Sequence, residues 1–217
     1  GDAARKINTP IVGGNVSLYN DSEEYLTTIP PTPSLAMLSK TTNLKHLPEN
    51  TIQKEGETII LIGETKPELG GSEHYHILNT PAAGSTPTIP DDIDQRLNTI
   101  VQLVRTSRIT TAHDVSNGGL ATALSELITP THGANITLTG SRLTDTELLF
   151  SETHGRMLLI TPAPEQVLHQ LQNTPHAIIG TTTSKPQLHI TTKNQQITLT
   201  HEEIQRATQS LTRTMKE

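Results

Sequence analysis

The order of apolar and polar residues divides most of the chain into short strands and helices. The run Thr58 to Ile62 ends at Gly63 and is typical of a core strand. Beyond it, β-branched runs alternate with segments of helical period, which predicts an α+β fold with a mixed sheet and helices on one face. The further predicted strands are 109–112, 134–138, 157–160, 177–180, 187–190 and 196–199, and the predicted helices are 91–105, 120–128, 143–149, 164–171 and a last one from 201.

Two of these helices carry clear end or face signals. The helix over 91–105 has acidic residues in its first turn and a predicted inward stripe of Ile93, Leu97, Ile100, Val101 and Val104. The last helix begins with a segment that resembles a capping box, Thr200 to Glu203. Its predicted inward residues are Ile204, Ala207 and Leu211.

The first forty residues have a different character. Ile11 and Val12 predict a strand that enters a Gly13-Gly14 turn, Val16 and Leu18 predict one that leaves it, and the run 35–38 predicts a buried strand. A polar stretch with Pro48 then indicates a boundary near residue 45 and domains of 1–45 and 46–217. We expect uncovered apolar edges in the first domain to favour self-association.

Composition narrows the function classes. The chain of 217 residues has a formal charge of −6, no Trp and one Phe, which argues against a nucleic-acid binder. It has no Cys, so disulfides, thiolate metal sites and thiol nucleophiles are excluded, and a reducing cytoplasm is the expected location. No apolar run approaches the roughly 20 residues that span a membrane. The start, Gly1-Asp2, is neither an initiating Met nor a signal peptide, so we expect a piece of a longer polypeptide.

The segment 113–120, His-Asp-Val-Ser-Asn-Gly-Gly-Leu, joins a predicted strand to a predicted helix. Ser116 or Asn117 is expected to cap the helix, and Gly118 and Gly119 permit close approach of a ligand or another backbone. The free N–H groups of a helix start can hold an anion such as phosphate. The alternative is an ordinary capped helix that binds nothing.

A second glycine pair is followed by polar side chains. Gly13-Gly14 precedes Asn15 and Ser17, which supply backbone N–H groups, an amide oxygen and a hydroxyl within a few residues. These groups suit phosphate oxygens and a hard cation such as Mg²⁺. The alternative is an ordinary hairpin turn.

Two further clusters leave a functional and a structural interpretation open. Glu152 and Arg156 flank a tight connection, where they could hold a polar ligand or pair with each other. Glu73, His74 and His76 could form part of a metal site, although no further ligand is identifiable, or could lie in a solvated loop.

Taken together, the motifs resemble a known enzyme family. In order along the chain they are Gly13-Gly14-Asn15-Val16-Ser17-Leu18-Tyr19-Asn20, Pro31-Thr32-Pro33, Gly63-Glu64-Thr65 with 68–73, the segment 113–120, and Leu149-Phe150-Ser151-Glu152. This set resembles the C-terminal end of the large subunit of phosphoribosylformylglycinamidine synthases, in the aminoimidazole ribonucleotide synthetase superfamily. His154 departs from the pattern, because Gln is more common there.

The resemblance implies an ATP-dependent ligase of purine synthesis that uses ATP, Mg²⁺ and formylglycinamide ribonucleotide. Gly14 matches an ATP contact, Asn15 a Mg²⁺ ligand and Ser17 a substrate contact, whereas no catalytic residue is carried by this chain. For Asp114, Gly118, Gly119 and Glu152 it implies an auxiliary nucleotide site or a structural role. Residues 1–45 would end the second nucleotide-binding subdomain, and 46–217 would form the C-terminal subdomain. The implied partners are the N-terminal part of the same polypeptide, a glutamine amidotransferase subunit and a small third subunit.

Overall fold

The structure is a computed structural model that describes residues 1–16, 21–24, 27–28, 32–41, 47–80, 83–106 and 108–210. The chain forms two compact units, Gly1–Lys45 and His46–Glu217. In the described part of the chain, no helix has both the length and the apolar character needed to cross a membrane.

The first unit has little regular structure. It contains helix α1 (Asp2–Lys6) and the antiparallel strands β1 (Asp21–Ser22) and β2 (Thr27–Thr28). The strands predicted at 11–12 and 35–38 are wrong, because these residues form neither helix nor strand and are exposed. Apolar runs form buried strands only where neighbouring strands pair with them, and the described part of this unit offers none beyond β1 and β2.

The second unit is built on a seven-stranded mixed sheet. Its strands are β3 (Thr58–Ile62), β4 (Thr111–Val115), β5 (Gly133–Leu138), β6 (Arg156–Thr161), β7 (His176–Thr183), β8 (Gln187–Thr192) and β9 (Gln196–Thr200). The spatial order is β4-β6-β3-β7-β5-β8-β9, with only β5 and β8 parallel among the neighbouring pairs. The α+β class, the mixed sheet and the hairpin of β8 and β9 are confirmed.

Six helices belong to the second unit in the part that is described. They are α2 (Glu73–Ile77), α3 (Ile93–Arg105), α4 (Gly119–Glu126), α5 (Asp145–Phe150), α6 (Pro164–Gln170) and α7 (His201–Thr208). All except α2 were predicted within a few residues of these bounds. The α7 capping box between Thr200 and Glu203 is also confirmed, whereas Leu211 lies outside the described residues.

The helices cover both faces of the first part of the sheet rather than one face only. Ile59 and Leu61 of β3 share an apolar cluster with α4 and α5, whereas Ile60 and Ile62 share a second cluster with α3 and α6. This explains the unbroken apolar run in β3, since side chains on both faces of that strand are buried. In β5 the buried residues alternate with exposed ones, so helices cover only one face there.

The inward face of α3 differs from the predicted stripe. Leu97 and Val101 are exposed, whereas Arg96 and Leu103 are buried with Ile93 and Ile100. Arg96 donates from Nη2 to Oδ1 of Asp92 over 2.7 Å and from Nη1 to the carbonyl of Gly155 over 2.8 Å. These hydrogen bonds satisfy a buried guanidinium, which hydrophobic periodicity does not anticipate.

Candidate functional site

The first group of predicted site residues lies in the first unit. Gly14 and Asn15 are exposed and belong to no helix or strand. A Cβ added to Gly13 or Gly14 would meet no described atom within 4 Å, so the described structure does not itself require glycine there. Ser17 lies outside the described residues.

The second group lies where β4 ends and α4 begins. Gly118 and Gly119 both have left-handed backbone angles, with φ of +77° and +68°. A Cβ on Gly119 would lie 2.7 Å from the carbonyl oxygen of Ser151, so glycine is needed here for both the angle and the close approach. The prediction that Ser116 or Asn117 caps the helix is wrong. The N-cap residue of α4 is Gly118, which has no side chain that could accept a hydrogen bond.

A distant carboxylate takes over this capping role. Oε1 of Glu152 accepts hydrogen bonds from the backbone N–H of Gly118 and from that of Glu73, each over 2.8 Å. Gly118 caps α4 and Glu73 begins α2, so one oxygen satisfies donors at two helix starts. A negative charge at this position also interacts favourably with both helix dipoles. Glu152 therefore links the starts of α4 and α2 through hydrogen bonds.

Arg156 is buried, and its guanidinium donates hydrogen bonds to groups other than this carboxylate. Its Nε donates to the carbonyl of Thr153 over 3.1 Å, its Nη1 to Oγ1 of Thr65 over 2.9 Å, and its Nη2 to the carbonyl of Ser151. Burial lowers the pKa of Arg156 to about 10, against the attraction of Glu68 and Glu152, so it remains charged at neutral pH. Of the two alternatives for Glu152 and Arg156, direct pairing is not observed among the described ion pairs.

Two buried polar atoms adjoin this arrangement. Glu68 accepts at Oε1 from the backbone and hydroxyl of Thr88, whereas its Oε2 has no hydrogen-bond partner in the described part of the chain. The hydroxyl of Ser151 is likewise buried and unpartnered within the described residues. Glu68 begins the motif segment 68–73, but a single Glu in a polar loop does not by itself predict burial of its carboxylate.

A cavity of about 520 Å³ lies beside the glycine turn. Asp114 and Glu152 line it together with Ser116 and Asn117, while Gly118 and Gly119 form the adjacent turn. The structure therefore brings the residues of the second group together. The apolar residues of the lining are Leu97, Ile100, Val115, Met157 and Pro87. Cavities of this size with an apolar lining and a few polar groups are typical of small-molecule sites.

The segment of the candidate metal cluster adopts a different structure. Glu73, His74 and His76 lie on the short helix α2 rather than in an irregular loop. The His74 ring stacks on Phe150 with a centroid distance of 4.6 Å. Within the described residues, no group of three or more His, Cys, Asp or Glu is placed to hold a metal ion.

Comparison with known proteins decides the family. Residues 54–193 match the family described as AIR synthase related protein, C-terminal domain. The chain belongs to this family. The matched region contains every strand of the seven-stranded sheet except β9, together with the glycine turn and Glu152. The superfamily that the motifs resemble is thereby confirmed.

Similarity to longer proteins extends over almost the whole chain. The chain is 40% identical to the phosphoribosylformylglycinamidine synthase subunit PurL of Methanosarcina mazei. The match extends over 216 residues, which is 99% of this chain and 30% of that protein. The chain thus spans less than a third of the length of this relative.

Solved structures support the fold. One is Thermotoga maritima PurL complexed with FGAR, with a TM-score of 0.61, 17% identity, and coverage of 74% of this chain and 30% of that one. Another is T. maritima PurL complexed with ATP, with a TM-score of 0.56, 15% identity, and coverage of 74% and 27%. At these identities the likeness establishes the fold alone.

Proposed function

We propose that this chain is part of a phosphoribosylformylglycinamidine synthase. In the reaction of that enzyme, ATP phosphorylates the formyl amide oxygen of formylglycinamide ribonucleotide. Ammonia then displaces phosphate, which gives the amidine, ADP and phosphate. The observation that carries the proposal is 40% identity to a named PurL subunit over 99% of the chain. The reaction belongs to the whole polypeptide, so we expect the chain by itself to be inactive.

The Gly14 segment is proposed to contribute part of the ATP and Mg²⁺ site. Gly14 would allow ATP to approach the backbone, because the described structure leaves open space at its Cβ position. The amide oxygen of the exposed Asn15 is a suitable ligand for Mg²⁺, and Ser17 would contact the substrate. Mg²⁺ held there would offset the negative charge of the phosphate oxygens. Asn15 supplies one ligand, so the others are proposed to come from the rest of the synthase.

The proposed partners follow from the same reaction. We infer that the chain functions with the N-terminal part of its polypeptide, a glutamine amidotransferase subunit that supplies ammonia, and a small third subunit. The boundary near residue 45 is proposed to separate the end of the second nucleotide-binding subdomain from the C-terminal subdomain.

The test is a chimera in which this chain replaces the matching 30% of the M. mazei subunit. With ammonium as the nitrogen donor, we expect ADP release that depends on formylglycinamide ribonucleotide. Asn15→Ala should raise the Mg²⁺ concentration for half-maximal rate at least about tenfold, since a lost charge-assisted ligand costs more than 1.4 kcal/mol. The control is Asn98→Ala, at an exposed position of α3. A folded chimera without activity, or an unchanged Mg²⁺ dependence in Asn15→Ala, would contradict the proposal.

A second candidate function is a non-catalytic module that binds an auxiliary nucleotide. The cavity lined by Asp114 and Glu152 favours it. Calorimetric titration of the chain with ATP and Mg²⁺ should then show binding that Asp114→Ala weakens and Asn15→Ala does not. If the cavity serves packing alone, no heat of binding is expected from the unmodified chain or from either variant.

A further inference from the structure

Asn117 and Gly118 form the only Asn-Gly pair in the sequence. Asn117 is exposed, and its side chain makes no hydrogen bond to any described residue. Glycine is required at 118, because φ is +77° there and a Cβ would clash with the side chain of Thr122. A glycine after an asparagine also leaves the peptide nitrogen between them unshielded. The turn therefore requires the one neighbour that makes Asn117 chemically labile.

The reaction open to such a pair is deamidation. The Gly118 nitrogen gives up its proton to solvent and forms a bond to Cγ of Asn117, while the C–N bond of the side-chain amide breaks. The leaving group takes up a proton from water and departs as ammonia. Water then opens the succinimide ring at either carbonyl, which gives aspartate or isoaspartate at position 117. The only co-reactant consumed is water.

The backbone of the folded turn opposes this ring closure. Gly119 donates to the carbonyl of Ser116 over 3.0 Å, and Gly118 has φ of +77° and ψ of 0°. These are the features of a type II turn in which Asn117 is the second residue, with a ψ of about +120°. The ring closes only at a negative ψ, because the Gly118 nitrogen must then eclipse Cβ of Asn117. The turn therefore has to open before the nitrogen can reach Cγ.

The carboxylate of Glu152 opposes the reaction a second time. Its Oε1 accepts the hydrogen bond from the N–H of Gly118 over 2.8 Å, so the attacking nitrogen is held by its own proton. A negative charge at this distance also disfavours the amide anion that would attack Asn117, because like charges repel. Loss of the bond between Gly118 and Glu152 is therefore the event that frees the nitrogen.

We propose that Asn117 is a deamidation site controlled by Glu152. It remains asparagine while Glu152 holds the N–H of Gly118, and it converts to aspartate and isoaspartate when that bond opens. Isoaspartate lengthens the main chain by one methylene and so displaces the Gly118 N–H from Glu152. Either product adds a carboxylate to the cavity that Asp114 and Glu152 line. The inference is independent of the proposed function, and its test needs no synthase activity.

The experiment incubates the full chain at mildly alkaline pH, folded or unfolded in urea, and follows deamidation at Asn117 by peptide mapping with tandem mass spectrometry. We expect the folded chain to deamidate at least about tenfold more slowly than the unfolded chain, as one hydrogen bond to a charged group predicts. Glu152→Ala should accelerate the folded reaction about tenfold, for the same reason. Glu152→Gln keeps an acceptor without the charge and should give an intermediate rate. The control Glu165→Ala, at an exposed position of α6, should leave the rate unchanged.

A further variant separates local opening of the turn from global unfolding. Leu103→Ala removes a fully buried side chain of α3 that lies in the other apolar cluster, so it lowers global stability without changing the turn. Its folded form should deamidate at the rate of the unmodified chain. The proposal is overturned if Asn117 does not deamidate in urea, if the folded and unfolded chains react equally fast, or if Glu152→Ala leaves the rate unchanged. Equal acceleration by Leu103→Ala and Glu152→Ala overturns the part assigned to Glu152.

Discussion

At the scale of single residues, the glycine turn shows how two constraints combine at one position. Gly119 has a left-handed backbone, and a Cβ added to it would lie only 2.7 to 2.9 Å from the backbone of 149–151. Gly56 has a similar φ of +77°, yet a Cβ there would meet no described atom within 4 Å. The two positions therefore separate the cost of the backbone angle from the cost of the close contact.

Gly119→Ala is expected to lower the free energy of unfolding by about 3 kcal/mol, of which about 1 kcal/mol is backbone strain and the rest overpacking. Gly56→Ala should lower it by only about 1 kcal/mol, because strain acts alone there. Urea denaturation followed by circular dichroism measures both values. Equal losses in the two variants would show that the contact with the segment 149–151 relaxes freely.

At the scale of elements, local signals predict a helix start well and distant ones poorly. The α7 cap lies within four consecutive residues, Thr200 to Glu203, and could be read from the sequence. The cap of α4 comes from Glu152, which is 34 residues away from Gly118. The short helix α2 was missed although its cap is local, since the hydroxyl of Ser72 accepts from the N–H of Tyr75. Its five residues are too few to show a helical period. A linear pattern has no information on which carboxylate will fold against a given turn.

The pH dependence of the α7 cap gives a prediction for this element. The hydrogen bonds from Thr200 hold the pKa of Glu203 below its ordinary value of 4.5. Because the folded pKa is the lower one, the cap's stabilisation is complete above 4.5 and is lost as pH falls through the folded value. Cα chemical shifts of α7 should therefore move toward coil values below pH 4.5.

The matched variants are Glu203→Gln and Glu202→Gln, which are adjacent in the first turn of α7. Glu203→Gln should remove this acid-dependent change, while Glu202→Gln should retain it. If both variants fray with the wild-type pH profile, the cap does not control the start of α7.

The sheet could largely be predicted from the sequence because its strands pair within the second unit. Thr58–Ile62 forms backbone hydrogen bonds with its partner strands β6 and β7. The apolar patterns of these segments therefore form buried strands, as predicted. The run 35–38 has an equally apolar pattern but leaves Leu35 95% and Leu38 97% exposed. Strand propensity describes a fit to neighbouring strands, and it predicts nothing reliable where those neighbours are not supplied.

At the scale of the whole molecule, exposed apolar side chains of the first unit are expected to favour self-association. They include Ile11, Val12, Val16, Leu35, Met37 and Leu38, each at least 69% exposed. Since covering such side chains is favourable by about 25 cal/mol per Å², concentrated solutions of the chain are expected to contain dimers or larger species. Light scattering coupled to size-exclusion chromatography measures this directly.

The double substitution Leu35→Ser and Leu38→Ser should weaken self-association at least about tenfold, because covering two leucines is worth more than 1.4 kcal/mol. The control is Ile77→Ser, which removes a side chain that is 76% exposed on α2 in the second unit. Its association should equal that of the unmodified chain if the surface responsible lies within 1–45. Equal weakening by both changes would instead indicate nonspecific apolar contacts, and a monomer at all concentrations would contradict the prediction. A result confined to the leucine pair would identify the first unit as the surface responsible for self-association.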